Sequence, residues 1–182
     1  MEGMEQAQRA GHNLARLGSV ASFFVSRLDT EVDTRLAEIG TQAAGELRGQ
    51  AAIANARLAY QRYEQMISSG RWQALQAAGA RPQRPLWAST STKDPNYPDT
   101  RYVDGLVAPG VVNTMPEVTL RAVADHGDVQ PDSVHGYYQQ SQTVLDRLRD
   151  VGVDYDDVVN QLEEDGITKF DAAWDTSATN WR

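Results

Sequence analysis

A chain of 182 residues, 41% hydrophobic and 23% charged, is long enough to bury one core, so residues 1–182 are expected to form a single domain. Seventeen basic against twenty-five acidic side chains leave a net charge of −8, the wrong sign for a partner of nucleic acid or an anionic membrane, although a small anion can still sit in a local basic pocket. The absence of cysteine removes disulfides, thiolate catalysis and cysteine-ligated metals.

The first residues carry no apolar run of signal-peptide length, and no later stretch approaches a membrane span, which predicts a cytoplasmic protein. Met4, Ala7, Gly11, Leu14 and Leu17 recur at helical spacing and predict one buried stripe. Residues 19–27 are too short and too rich in β-branched and aromatic side chains for a helix and read as a buried strand. Val20, Ser22 and Phe24 share one of its faces; Ala21, Phe23 and Val25 share the other. Apolar groups on both faces favour a parallel sheet covered on each side.

Asp29 or Thr30 then offers a cap for a helix with Val32, Leu36 and Ile39 on one side and Gly40 as its stop. A longer alanine-rich helix follows over residues 47–67, ended by Gly70, with a short helical piece from Trp72 closed by Gly79. Residues 85–90 read as a second strand, and the turn-forming stretch after it puts Lys93 on a loop at that strand's C-terminal end. Asp99 is placed to cap a short helix through Tyr102, Val103 and Leu106. A third strand over 111–115 runs into Pro116, which opens a helix that holds Val118, Leu120 and Val123. Helices over 133–151 and 155–165, capped by Asp132 and Asp154 and stopped by Gly152 and Gly166, precede a last amphipathic turn or two through Ile167, Phe170 and Trp174. The C-terminal helices thus fill 133–174.

Strands separated by helices imply an α/β fold with a parallel sheet, open or part of a barrel, and ligands in such folds sit at the C-terminal ends of the strands. The polar groups collect there: Arg27 after the first strand; Ser89, Thr90, Ser91 and Lys93 after the second. Arginine forks onto a phosphate, lysine adds a point charge, and hydroxyls complete the shell. The competing reading pairs Arg27 with Asp29 or Asp33 and Lys93 with Asp94 as solvated charges. His12, His126 and His135 stand apart in polar contexts and read as exposed or capping groups. Asp154, Asp156 and Asp157 open a helix, where acids meet the positive end of its dipole, so a metal is not needed to explain them. No dinucleotide, P-loop, zinc-protease or serine-hydrolase motif is present, and no cofactor is implied.

SVASFFVSRLDTEVD, LRGQAAIANARLAYQRYEQM, ARPQRPLWASTSTKDPNYPDTRYVDGLVAPGVVNTMPEVTL and DGITKFDAAW resemble consecutive pieces of bacterial transaldolases, particularly of the actinobacterial type. The resemblance implies a (β/α)8 barrel, of which this chain would be the C-terminal part. It also implies transfer of a dihydroxyacetone unit from sedoheptulose 7-phosphate to glyceraldehyde 3-phosphate through a lysine Schiff base. By resemblance, Ser22 and Phe24 lie near the reacting carbons, and Arg27, Ser89 and Lys93 hold the phosphate. Many relatives carry arginine where this chain has Ser91. The family's Schiff-base lysine precedes the segment that matches Met1, so no catalytic residue maps onto this chain; its two lysines are Lys93 and Lys169. A partial barrel would leave strand edges unpaired and uncover Val20, Phe24 and Leu86, which predicts self-association or docking with an N-terminal half.

Overall fold

The computed structural model describes residues 1–180. Strands β1 (Val20–Phe24), β2 (Arg84–Ala88) and β3 (Val112–Asn113) form one parallel sheet in the order β1-β2-β3. Phe24 stands opposite Ala88, and Leu86 opposite Val112. Parallel neighbours need long crossovers, and helices supply the first. The chain runs α1 (Glu2–Arg9), β1, α2 (Val25–Ile39), α3 (Gln42–Gly45), α4 (Ala51–Ile67), α5 (Gly70–Ala77), β2, α6 (Arg101–Asp104), β3, α7 (Glu117–His126), α8 (Tyr138–Asp150) and α9 (Tyr155–Asn180). The α/β class expected from the sequence is the class observed.

The boundary that matters most differs from the sequence expectation. β1 stops at Phe24, and α2 begins at Val25, four residues before its expected cap. The reason lies in the spacing of Val25, Leu28, Val32 and Leu36, a helical stripe that is buried along its length and includes a residue assigned to the strand. Arg27 therefore stands on the first turn of a helix. Gly40 stops α2 as expected, in the left-handed region at φ 65°.

Asp29, expected to cap α2, is instead inside it and buried. Its Oδ1 accepts the Ala52 amide at 2.8 Å, and its Oδ2 accepts the Tyr102 hydroxyl at 2.8 Å. One turn on, Asp33 accepts the Gly49 amide at 2.8 Å and the Tyr97 hydroxyl at 2.6 Å. The residue preceding α4, Gln50, makes no side-chain cap, so Asp29 caps α4 from another helix while Asp33 holds the turn that leads into it. Burial pushes the Asp29 carboxyl above its ordinary range, opposed by the Ala52 amide and the Tyr102 hydroxyl. Gly49 is required here: at φ 69° a Cβ would meet the Tyr97 ring at 2.6 Å.

Other boundaries moved for local reasons. The first helix ends at Arg9, Gly11 turns at φ 76°, and Leu14 follows in a separate 3-10 turn. Gly70 opens α5 rather than ending α4, because the Ser69 hydroxyl accepts the Trp72 amide at 3.3 Å. Asp132 caps only a local turn, and α8 starts at Tyr138. Asp154 caps α9 as expected, but α9 continues straight through Gly166. Asp99 caps nothing; Thr100 precedes α6, and Asp99 pairs with His126 at 2.8 Å.

The main core lies between the sheet and α2, α4, α8 and the start of α9. Trp87 of β2 anchors it, with its indole N–H on the Leu106 carbonyl at 3.0 Å and Phe23 edge-on at 5.9 Å. The other face of the sheet is bare: Val20 is 46% and Phe24 39% exposed, with Leu86 partly buried. Val118 and Leu120 of α7 are 72% and 55% exposed. Ile167, Phe170 and Trp174 of α9 are exposed too. Among the described residues, no helix is long and apolar enough to cross a membrane.

Candidate functional site

The strand ends bring three of the sequence-selected groups, Phe24, Arg27 and Ser89, to one rim. The Arg27 guanidinium lies over the Phe24 ring, 4.2 Å from its centroid, and has no hydrogen-bond or ion-pair partner among the described residues. Asp29 and Asp33, the acids that a solvated-charge reading assigned to it, are occupied by Tyr102 and Tyr97 and by the amides of Ala52 and Gly49. Helix α9 passes beside it, since a Cβ on Gly166 would come within 4.0 Å of Arg27 Nη1. Ser22 is exposed on the face of β1 that also carries Phe24. It also borders an apolar cavity of about 600 Å³ with Leu17, Phe23, Tyr63, Met66 and Trp72.

Ser89 follows Ala88 at the end of β2, directly across from the start of α2. Its carbonyl accepts the Ser26 amide at 3.0 Å, and the two hydroxyls are 2.8 Å apart. Thr90 is fully buried and does not face the rim; its hydroxyl lies 3.0 Å from Asn113 Oδ1 and 2.9 Å from the Thr114 carbonyl, tying β2 to β3.

Lys93 is not brought to Arg27. Its ammonium donates to Ser91 Oγ at 3.0 Å, and it borders a different cavity of about 680 Å³ with Asp29, Asp33, Asp94 and Arg48. Asp94 pairs with Arg48 at 3.6 Å and caps Asn96, so the proposed Lys93–Asp94 pair is not formed. Chemically the rim offers one free fork of guanidinium donors, an aromatic face and hydroxyls, a set that suits a small anion.

A second polar cluster escaped the sequence reading. His135 bridges Glu64 Oε1 at 2.7 Å and Asp132, while Tyr138 donates to Glu64 Oε2 at 2.5 Å and Tyr60 stacks edge-on against the imidazole. The Glu64 carboxylate, then Asp132, holds His135 above the usual imidazole range. Desolvation pushes the Tyr60 hydroxyl up to about 12. The cluster ties α4 to the segment before α8. His126, by contrast, is exposed between Asp99 and Asp125. Asp157, one of the acids that open α9, pairs with Arg35 at 2.6 Å.

A model of the transaldolase/fructose-6-phosphate aldolase family matches residues 3–180. The chain belongs to this family. Within the transaldolases it is 61% identical over 173 residues to the transaldolase of Acidothermus cellulolyticus, covering 95% of this chain and 46% of that protein. It is 59% identical over 175 residues to the transaldolase of Thermobifida fusca, 96% of this chain and 48% of the relative. Transaldolase 1 of Streptomyces coelicolor is 58% identical over 174 residues, at 96% and 46% coverage. The chain spans about half the length of these transaldolases.

Proposed function

We propose that this chain is the C-terminal part of a cytoplasmic transaldolase barrel and supplies its phosphate-binding rim. Arg27, unpaired over Phe24 beside Ser89 at the strand ends, is the observation that carries this reading. In the full reaction the barrel moves a dihydroxyacetone unit from sedoheptulose 7-phosphate to glyceraldehyde 3-phosphate, with Arg27 and Ser89 on the phosphate and Ser22 and Phe24 lining the carbon chain. Lys93 reaches the phosphate only if its loop swings off the acidic cavity.

The carbon chemistry belongs to the remainder of the barrel. A lysine nucleophile must be neutral near pH 7, which requires burial in an apolar site. Lys93 and Lys169 are both exposed, so neither meets that condition. The same exposure fits a second reading, a phosphosugar binder without turnover, which the test below separates from the first.

The test is on the purified chain. Calorimetry with fructose 6-phosphate should show binding that Arg27→Ala abolishes, and borohydride reduction with the same ketose should trap no lysine adduct. Adding the half of the Acidothermus transaldolase that this chain does not match should restore transfer. An adduct on Lys93 or Lys169, or absence of phosphate binding, overturns the proposal. Binding without rescue selects the second reading.

A further inference from the structure

Ser89 is held in a conformation that serine does not choose unaided. Its φ of 55° is left-handed, the only such value at a non-glycine residue among those described, and a Cβ makes it costly. Such strain persists only where neighbours over-determine the backbone. Two neighbours do so here. Thr90, immediately after, is pinned to Asn113 and Thr114 of the β3 segment. Ser26, from the start of α2, grips Ser89 twice, through its amide at 3.0 Å and its hydroxyl at 2.8 Å.

The burial of the pair is unequal. Ser26 is 1% exposed and cannot touch a ligand, whereas Ser89 is half-buried and opens to the rim. An ionised phosphate oxygen only accepts hydrogen bonds, so a serine that binds one must spend its own hydrogen on it. The Ser89 oxygen is then left to accept. Ser26 can supply that bond, because no other acceptor is within reach of its hydroxyl among the described residues.

We infer that Ser26 is a positioning residue for the anion site: it holds Ser89 in the left-handed turn and donates to the Ser89 oxygen, which aims the Ser89 hydroxyl hydrogen at the phosphate. This rests on the phosphate reading of the rim. Ser26 precedes Arg27 on the same helical turn, so the residue that aims Ser89 and the guanidinium that meets the anion are carried by one rigid element.

Equilibrium dialysis of the chain against radiolabelled inorganic phosphate, paired with thermal unfolding of each variant, tests the inference. Ser26→Ala should weaken phosphate binding about tenfold, the worth of one aimed, charge-assisted hydrogen bond. Ser26→Cys keeps the side-chain shape with a slightly larger atom and donates weakly, so it should fall between and gives the same comparison if the alanine variant does not fold. In a Ser89→Gly background, where the turn is free of strain and the hydroxyl is gone, Ser26→Ala should have no further effect on affinity. If wild type binds and both Ser26 variants bind equally well with only a lower melting temperature, Ser26 merely ties α2 to the sheet and the inference falls while the phosphate reading stands. If wild type does not bind, the phosphate reading fails and takes the inference with it.

Discussion

Replacing Asp29 by alanine isolates what the buried carboxylates contribute. The substitution strands two buried donors, the Ala52 amide and the Tyr102 hydroxyl, each now 2.8 Å from a carboxylate oxygen. Each unsatisfied group costs about 1–3 kcal/mol. Against this, the variant no longer desolvates a charge beside Asp33, so the net loss should be about 2–4 kcal/mol. For a domain of this size that corresponds to a melting temperature lower by roughly 5–15 °C, measured by circular dichroism. Asp29→Asn retains an acceptor and should lose about half as much.

Asp29 also predicts a pH signature. Its folded pKa lies above its unfolded one, so its contribution is largest below the ordinary carboxylate pKa and declines as pH rises through the raised value. The margin of wild type over Asp29→Asn should therefore shrink across that window. An Asp29→Ala loss under about 0.5 kcal/mol, the scale of an ordinary surface change, or a margin flat with pH would refute the capping argument.

The bare face of the sheet and the outer side of α7 should make the isolated chain self-associate and bind a hydrophobic dye, and charging Val118 and Leu120 to lysine should reduce both; a tight monomer by sedimentation would count against this. His135 should titrate above 6.5 by proton NMR, because Glu64 and Asp132 favour its charged form. Its stabilising contribution is full below the ordinary histidine pKa and lost as pH rises through the raised value, so wild type and His135→Gln should converge in melting temperature at alkaline pH. The gap stays small, because the ring and its acids are about a third exposed and screened by solvent. A His135 pKa at or below 6.5 would falsify the bridge.

Much of the fold was legible because period and punctuation agreed. The alternation in β1, Gly40 after α2, Gly152 after α8 and the Asp154 cap all followed from local chemistry. Errors arose where tertiary partners took over local groups. Asp29 looks like a helix cap in sequence, yet its acceptors serve residues 23 and 73 positions away. A signal was available: Asp29 and Asp33 sit four apart on a helix whose apolar stripe begins at Val25. Gly166 looks like a stop, but helical hydrogen bonding continues across it. At the rim, Phe24, Arg27 and Ser89 were readable from strand ends and family resemblance. The Ser26 contact was not, because nothing in the pattern says that a serine inside a helix turns back onto the neighbouring strand. Lys93 turns to Ser91 and the acidic cavity, because loop position sets reach, not direction.

The paired carboxylates of α2 also set an order in time. The amide bonds from Gly49 and Ala52 close spans of 16 and 23 residues, whereas the tyrosine bonds from Tyr97 and Tyr102 close spans of 64 and 73. Shorter closures cost less entropy and are reached sooner. α2 and α4 can dock as a local hairpin while the outer oxygens of Asp29 and Asp33 are still hydrated. The segment after β2 then acts as the bolt: its two tyrosines close the longer spans and lock the helices of the first crossover from the second.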